Sequence, residues 1–408
     1  MKYTTVTSLA PRLDNVAPSA TLALTQKAAE LRAAGHDVVS LTAGEPDFAP
    51  APHVIEAAKA AMDAGHTRYT AVSGMLPLRE AICDVHAKLD GLHYETNEVI
   101  VGTGAKQALY NALQALTGPG DEVVIIAPFW VSYPAMVRLA GAEPVIVTGT
   151  QDTGFIPDTE TLRAAVTDAT KAIVICSPAN PSGACFDTAQ LEGLADIVRS
   201  HPRLVVIADE IYRRISYGDA PTPTLLGTCP DIQDRVVGVD GCSKSFAMTG
   251  FRIGWACGPR NIISAMGRIQ GQSTSNPSTP SQHAALAALT GDQGWVDEMV
   301  STFATRKDFV VGRLNALPGL SCFEPRGAFY VFPSMKELIG RRLPDGMEVT
   351  NAIAFTAHLL HEHHLATVPG KPFGAPEHFR LSFAASLETL SEGLDRLERA
   401  IRTCVDIT

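Results

Sequence analysis

No stretch of the 408-residue sequence approaches the roughly 20 apolar residues that a membrane span requires, and residues 1–25 hold no continuous apolar run of signal-peptide length. A cytoplasmic protein is the expectation. Cys-x-x-Cys spacing is also missing. The eight cysteines (Cys83, Cys176, Cys185, Cys229, Cys242, Cys257, Cys322 and Cys404) are scattered, several inside apolar runs where cysteine packs as a small hydrophobe, and they read as free thiols in a reducing compartment. There is no excess of positive charge. With 33 Lys and Arg against 43 Asp and Glu, and no acidic tail, the net charge of −10 argues against a dominant nucleic-acid or anionic-membrane partner. Internal repeats and low-complexity linkers are absent as well. What remains is an ordinary globular composition, 46% hydrophobic, long enough for two domains.

Between about residues 95 and 260 one pattern recurs: a short β-branched run, a loop of Gly, Pro, Ser or Asn, then a helical stretch. Seven strands are predicted, at Glu98–Val101, Glu122–Ile126, Glu143–Val147, Ala172–Cys176, Leu204–Ala208, Arg235–Val239 and Ile253–Cys257. Their continuous apolar character fits an α/β fold, a mostly parallel sheet covered by helices on both faces. After Pro280 the pattern changes to a long helix, about Trp295–Ala316, short strands at Leu320–Cys322, Ala328–Phe332 and Phe379–Phe383, and a closing helix from Leu387 to about Arg402. A large domain over 42–290 and a smaller α+β domain from 1–41 and 291–408 are the expected division.

In open sheets of this kind ligands bind beyond the carboxyl ends of the strands, which directs attention to the loops there. Lys244 lies in one of them, in Ser243-Lys244-Ser245, with Arg252 eight residues later. A lysine amine forms a Schiff base with a carbonyl, and an arginine clamps a phosphate through paired hydrogen bonds, so the two suit an anionic aldehyde such as pyridoxal phosphate (PLP). Taken alone, they read first as a solvated lysine and a strand-end charge, so the decision rests on the rest of the chain. Asp209 ends the apolar run 204–208 and needs a cationic partner, which a pyridinium nitrogen, a helix start or a loop cation supplies. Asn180, in the turn Ser177-Pro178-Ala179-Asn180-Pro181-Ser182-Gly183, and Tyr212 can each donate to a phenolate oxygen. Gly102-Thr103-Gly104-Ala105-Lys106 runs from strand into helix, a generic phosphate cup rather than a dinucleotide motif. Trp130 offers a stacking face or a core anchor. Arg380, set in the apolar strand Phe379–Phe383, requires either a substrate carboxylate or a structural Asp or Glu.

In order, these elements, together with Leu41-Thr42-Ala43-Gly44-Glu45-Pro46-Asp47-Phe48 and Arg68-Tyr69-Thr70, resemble the class I aminotransferases of PLP fold type I over almost the whole chain. The resemblance implies that Lys244 forms the Schiff base, Asp209 pairs with the pyridine nitrogen, Asn180 and Tyr212 bind the phenolate oxygen, and Trp130 stacks on the ring. Arg252, the backbone of Gly104, Ala105 and Lys106, and Tyr69 from a second subunit would hold the phosphate. Arg380, with Gly44 nearby, would clamp the substrate α-carboxylate. A homodimer with shared sites and a ping-pong exchange between an amino acid and a 2-oxo acid are likewise implied.

Departures from the family pattern guide the substrate expectation. Where members often carry a phosphate-binding serine, three residues before the lysine, this chain has Gly241, and the distal-carboxylate arginine of the animal and enteric aspartate aminotransferases is replaced by Gly271. Lys106, Pro18-Ser19-Ala20-Thr21 and Phe129–Pro134 resemble instead a bacterial aspartate (aspartate/prephenate) subgroup, in which Lys106 would help to recognise a dicarboxylic substrate. Ala17 stands where prephenate-active members tend to have lysine. Aspartate with 2-oxoglutarate is therefore expected first, and prephenate or an aromatic substrate second. Another PLP reaction on the same scaffold (lyase, decarboxylase, cyclase) and a non-enzymatic module that kept the fold are the alternatives. His358, His361, His363 and His364 fall in one expected helix at spacings that do not all share a face, so no metal site is expected.

Overall fold

The computed structural model describes residues 10–402 and 405–406 except 17, 19, 219 and 220. Ala17, Ser19 and Cys404 lie outside the described residues. All seven expected strands form and join one sheet: β1 (Val99–Gly102), β2 (Glu122–Ala127), β3 (Glu143–Thr148), β4 (Thr170–Cys176), β5 (Val205–Asp209), β6 (Val236–Gly241) and β7 (Gly254–Cys257), in the order β1-β7-β6-β5-β4-β2-β3. The pairs among β2 to β6 are parallel, and β7 runs antiparallel to both of its neighbours. The apolar runs are continuous because successive residues feed opposite cores: Val123 and Ile125 pack on one face of β2 and Val124 on the other. Burying each such side chain contributes about 1.5–3 kcal/mol.

Parallel pairing brings strand ends to one edge. Cys176 at the end of β4 lies opposite Asp209 at the end of β5. On the other side Gly102, Gly254 and Gly241 sit side by side across β1, β7 and β6. Without side chains there, the helix Ala105–Leu116 can start against the sheet. A Cβ on Gly254 would stand 2.2 Å from the Ala105 nitrogen.

Beyond the sheet, the long helix spans Gly294–Asn315 and the closing helix Leu387–Ile401. A three-stranded antiparallel sheet joins β8 (Tyr330–Val331), β9 (Val368–Pro369) and β10 (Phe379–Ser382) in the order β9-β10-β8. Leu320–Cys322, expected as a strand, contributes only an isolated bridge, Ser321 to Ser334. Val39–Ser40 pairs in parallel with Leu365–Ala366, which ties the N-terminal segment to the C-terminal third. The seven described cysteines are unpaired, and no helix among the described residues is long and apolar enough to cross a membrane.

Candidate active site

A cavity of about 270 Å³ opens at the carboxyl edge of the large sheet, and Lys244, Asp209, Asn180, Tyr212, Trp130 and Arg380 all line it, with Gly44, Ala105, Lys106 and Arg252 at its rim. Lys244 occupies a four-residue helix, Cys242–Ser245, directly after β6. Its Nζ donates to the Gly44 carbonyl at 2.6 Å. Burial, reinforced by the nearby Arg252 and Arg380 and opposed by Glu45 and Asp209, draws its pKa down to about 8. A lysine so placed yields a free amine far more readily than one in water.

Asp209, 4% exposed, is pushed up to about 6 by burial, against the Tyr133 hydroxyl, the Ile211 N–H and the Lys244 charge. Tyr133 donates to it at 2.5 Å. A buried acid in this state gains strongly from a cationic partner. Asn180 accepts through Oδ1 from Arg380 at 2.9 Å, which leaves its amide N–H groups available to the cavity. The Tyr212 hydroxyl lies 3.0 Å from that of Tyr330.

Arg380 is 2% exposed, yet among the described residues no carboxylate pairs with it. It donates to Asn180 and to the Thr42 carbonyl, both at 2.9 Å, and lies 4.4 Å from the Tyr330 ring centre, while its Nε has no hydrogen-bond partner. Burial lowers its pKa. Of the two partners open at the level of sequence, a structural acid is therefore not what faces it, and the unused guanidinium nitrogen favours an anion from outside.

At the opposite rim, Arg252 adopts a left-handed backbone with φ 56°, a conformation that costs a non-glycine residue about 1–3 kcal/mol and concentrates at functional sites. Its side chain lies against Gly104, where a Cβ would come within 2.5 Å of the guanidinium. Gly104, with φ 85°, caps the helix Ala105–Leu116, and its lack of a side chain leaves the helix-start N–H groups open beside Arg252. That is an anion cradle. Lys106 keeps part of its chain in solvent, its Nζ lies 4.8 Å from the Trp130 ring centre, and partial desolvation there, followed by the Arg252 charge, lowers its pKa. A buried amine, a buried acid and an anion cradle around one cavity match an anionic aldehyde such as PLP.

Two expected residues do not line the cavity. Gly104 lies against the Arg252 guanidinium instead, and Tyr69 is 91% exposed. Gly241 has a steric reason to be glycine: a Cβ there would stand 2.8 Å from Gly254 Cα and 2.9 Å from the Ile253 carbonyl. Sequence reasoning missed Tyr133, Tyr330 and Ser243. Ser243 adjoins Lys244 and was legible from that position. The two tyrosines reach the site only through contacts 76 and 118 residues apart in sequence. The histidines also depart from expectation: the helix ends at Glu362, and the rings of His358 and His363 come together.

The aminotransferase class I and II family matches residues 36–397. The aspartate/prephenate aminotransferase of Cereibacter sphaeroides is 45% identical over 96% of this chain and 98% of its own. The crystal structure of an aspartate aminotransferase from Rhizobium meliloti superposes with a TM-score of 0.95 at 39% identity, covering 98% of this chain and 100% of that one. That of Thermus thermophilus aspartate aminotransferase with maleate gives 0.90 at 40% identity, covering 97% and 100%.

Proposed function

The chain belongs to the class I and II aminotransferases, and from that premise we propose that it is a PLP-dependent aspartate aminotransferase, exchanging amino groups between L-aspartate and 2-oxoglutarate by a ping-pong sequence. The observation that carries the reading is Arg380, a buried guanidinium with an unused nitrogen and, among the described residues, no protein carboxylate, in one cavity with Lys244, whose pKa burial lowers. PLP supplies, when bound, an aldehyde that condenses with amines and a protonated ring that accommodates the electron pair released at Cα.

Lys244 would hold the aldehyde carbon. Displaced by the substrate amine, its amino group would take the Cα proton as a general base and return it as an acid. Asp209, braced by Tyr133, would keep the ring nitrogen protonated. Asn180 and Tyr212 would donate to the phenolate oxygen, and Trp130 would cover the ring face. Arg252 and the N–H groups of Gly104, Ala105 and Lys106 would bind the phosphate, and Tyr69 would reach the phosphate of a partner subunit's site. Arg380, beside Gly44, would bind the α-carboxylate in the bidentate manner that fixes orientation. Lys106, at the rim over Trp130, would meet the distal carboxylate. The Thermus relative was crystallised with maleate, a dicarboxylate, which supports a dicarboxylic substrate.

In this reading residues 42–290 form the PLP-binding domain and 1–41 with 291–408 the smaller one, and the protein acts in the cytoplasm as a homodimer. Prephenate as an alternative amino acceptor is favoured by the activity named for the Cereibacter relative. Borohydride reduction of the PLP-loaded protein, followed by peptide mass mapping, tests the central assignment. The label is expected on Lys244, and a label on any other lysine contradicts the reading.

A further inference from the structure

His358, His361, His363 and His364 lie outside the cavity just described. His358 sits in the last turns of the helix Ala352–Glu362, whereas His363 is the residue that caps its end. Freed from helical spacing, the His363 ring packs on that of His358, with ring centres 5.5 Å apart and planes at 64°. Asp345, on the turn before the helix, places Oδ2 2.7 Å from His358 Nε2 and 3.9 Å from His363 Nε2. All three ligand atoms lie within 4.8 Å of one another.

The two Nε2 atoms are shielded from water, and neither makes a hydrogen bond of acceptable geometry. The 2.7 Å contact is therefore out of line for a hydrogen bond. Two buried ring nitrogens that share one carboxylate oxygen as their neighbour, without a well-aligned hydrogen bond, gain from a ligand that satisfies both. Arg399 opposes a cation here and Glu362 favours one. Arg399 is itself engaged by Glu392 at 3.4 Å.

We propose that Asp345, His358 and His363 form a binding site for a divalent transition metal of the zinc type, with two imidazole nitrogens and one carboxylate oxygen as ligands and water completing the shell. Zinc bonds to such atoms of about 2.0–2.2 Å place tetrahedral ligand atoms roughly 3.4 Å apart, and the observed 2.7 and 3.9 Å bracket that spacing. The nitrogen-rich set disfavours calcium and magnesium, which take oxygen ligands. His361 is exposed and belongs to no such set, and His364 packs on His36 instead. The role is structural. The ion would fasten the Asp345 turn to the end of a helix that leads through Leu365–Ala366 into β9, whose Val368 pairs with Arg380.

The test is calorimetric titration of Zn²⁺ into the PLP-loaded chain, purified without a histidine tag and stripped by chelator, alongside thermal unfolding. One Zn²⁺ per chain and a raised unfolding midpoint are expected, with affinity lowered at least tenfold in His358→Gln and in His363→Gln and unchanged in His361→Gln. Zinc binding that is absent in the unaltered chain, or equal in all three variants, overturns the proposal. Zinc-edge X-ray absorption of the unaltered chain decides independently of how the variants fold: nitrogen and oxygen ligation with imidazole scattering supports the site, and sulfur ligation contradicts it.

Discussion

Lys244 and Arg380 are cationic side chains that the fold has made uncomfortable in different ways, one by burial that weakens its hold on a proton and the other by denying it a counter-ion. Because burial disfavours the Lys244 ammonium, its free-amine fraction should rise through pH of about 8 rather than through about 10.4, the value of an unperturbed lysine. Reductive labelling of Lys244 by a small aldehyde in the PLP-free protein, followed by mass spectrometry across pH, should show that lower midpoint. For Arg380→Ala, kcat/KM for aspartate should fall by about 2–5 kcal/mol, roughly thirty-fold to several-thousand-fold, as expected when one partner of a buried charge pair is removed. The absorbance of the bound cofactor should stay intact, because Arg380 acts on substrate; loss of cofactor would move it to a different role. Lys244, Asp209 and Arg252 were legible in the sequence because each follows or borders a buried strand, where an unpaired charge stands out. Tyr133 and Tyr330 were not, since a buried tyrosine looks the same in sequence whether or not its hydroxyl reaches a site.

At the scale of elements, the seven strands of the large sheet could be read because apolar runs buried on both faces leave a strong signal. Direction leaves none, so the antiparallel setting of β7 emerged only from the fold. Two-residue strands such as Val39–Ser40 and Val368–Pro369 are too short to show a period, and the end of the helix at Glu362 was overrun because no proline or glycine marks it. The glycine file of Gly102, Gly254 and Gly241 is the element-level device that seats the helix Ala105–Leu116 against the sheet. Gly254→Ala would drive a methyl group into the Ala105 backbone, 2.2 Å away, where no flexible side chain can yield. A loss of about 1–3 kcal/mol in urea unfolding is expected from such overpacking, together with weaker retention of the cofactor phosphate. Unchanged stability would show that the helix start has room to move.

For the whole molecule, the proposed reading assigns the exposed Tyr69 to a partner subunit's site and so makes the dimer the catalytic unit. Light scattering should give a dimer. Neither a Lys244→Ala dimer nor a Tyr69→Ala dimer holds a complete site in this account, but a hybrid of the two restores one whole site, so mixing the inactive and impaired variants should recover activity; no recovery by exchanged dimers would remove Tyr69 from the partner's site. The family was legible in the order of its motifs along the chain, whereas the choice between substrates rests on a few rim residues, Lys106 foremost, whose meaning depends on what they face. The most direct test of the central claim is a single half-reaction. PLP-loaded protein mixed with aspartate alone should lose the absorbance of the lysine-bound cofactor and release one equivalent of oxaloacetate per site, and 2-oxoglutarate should restore the band with release of glutamate. An absorbance unmoved by aspartate, with no amino group transferred, would contradict the account.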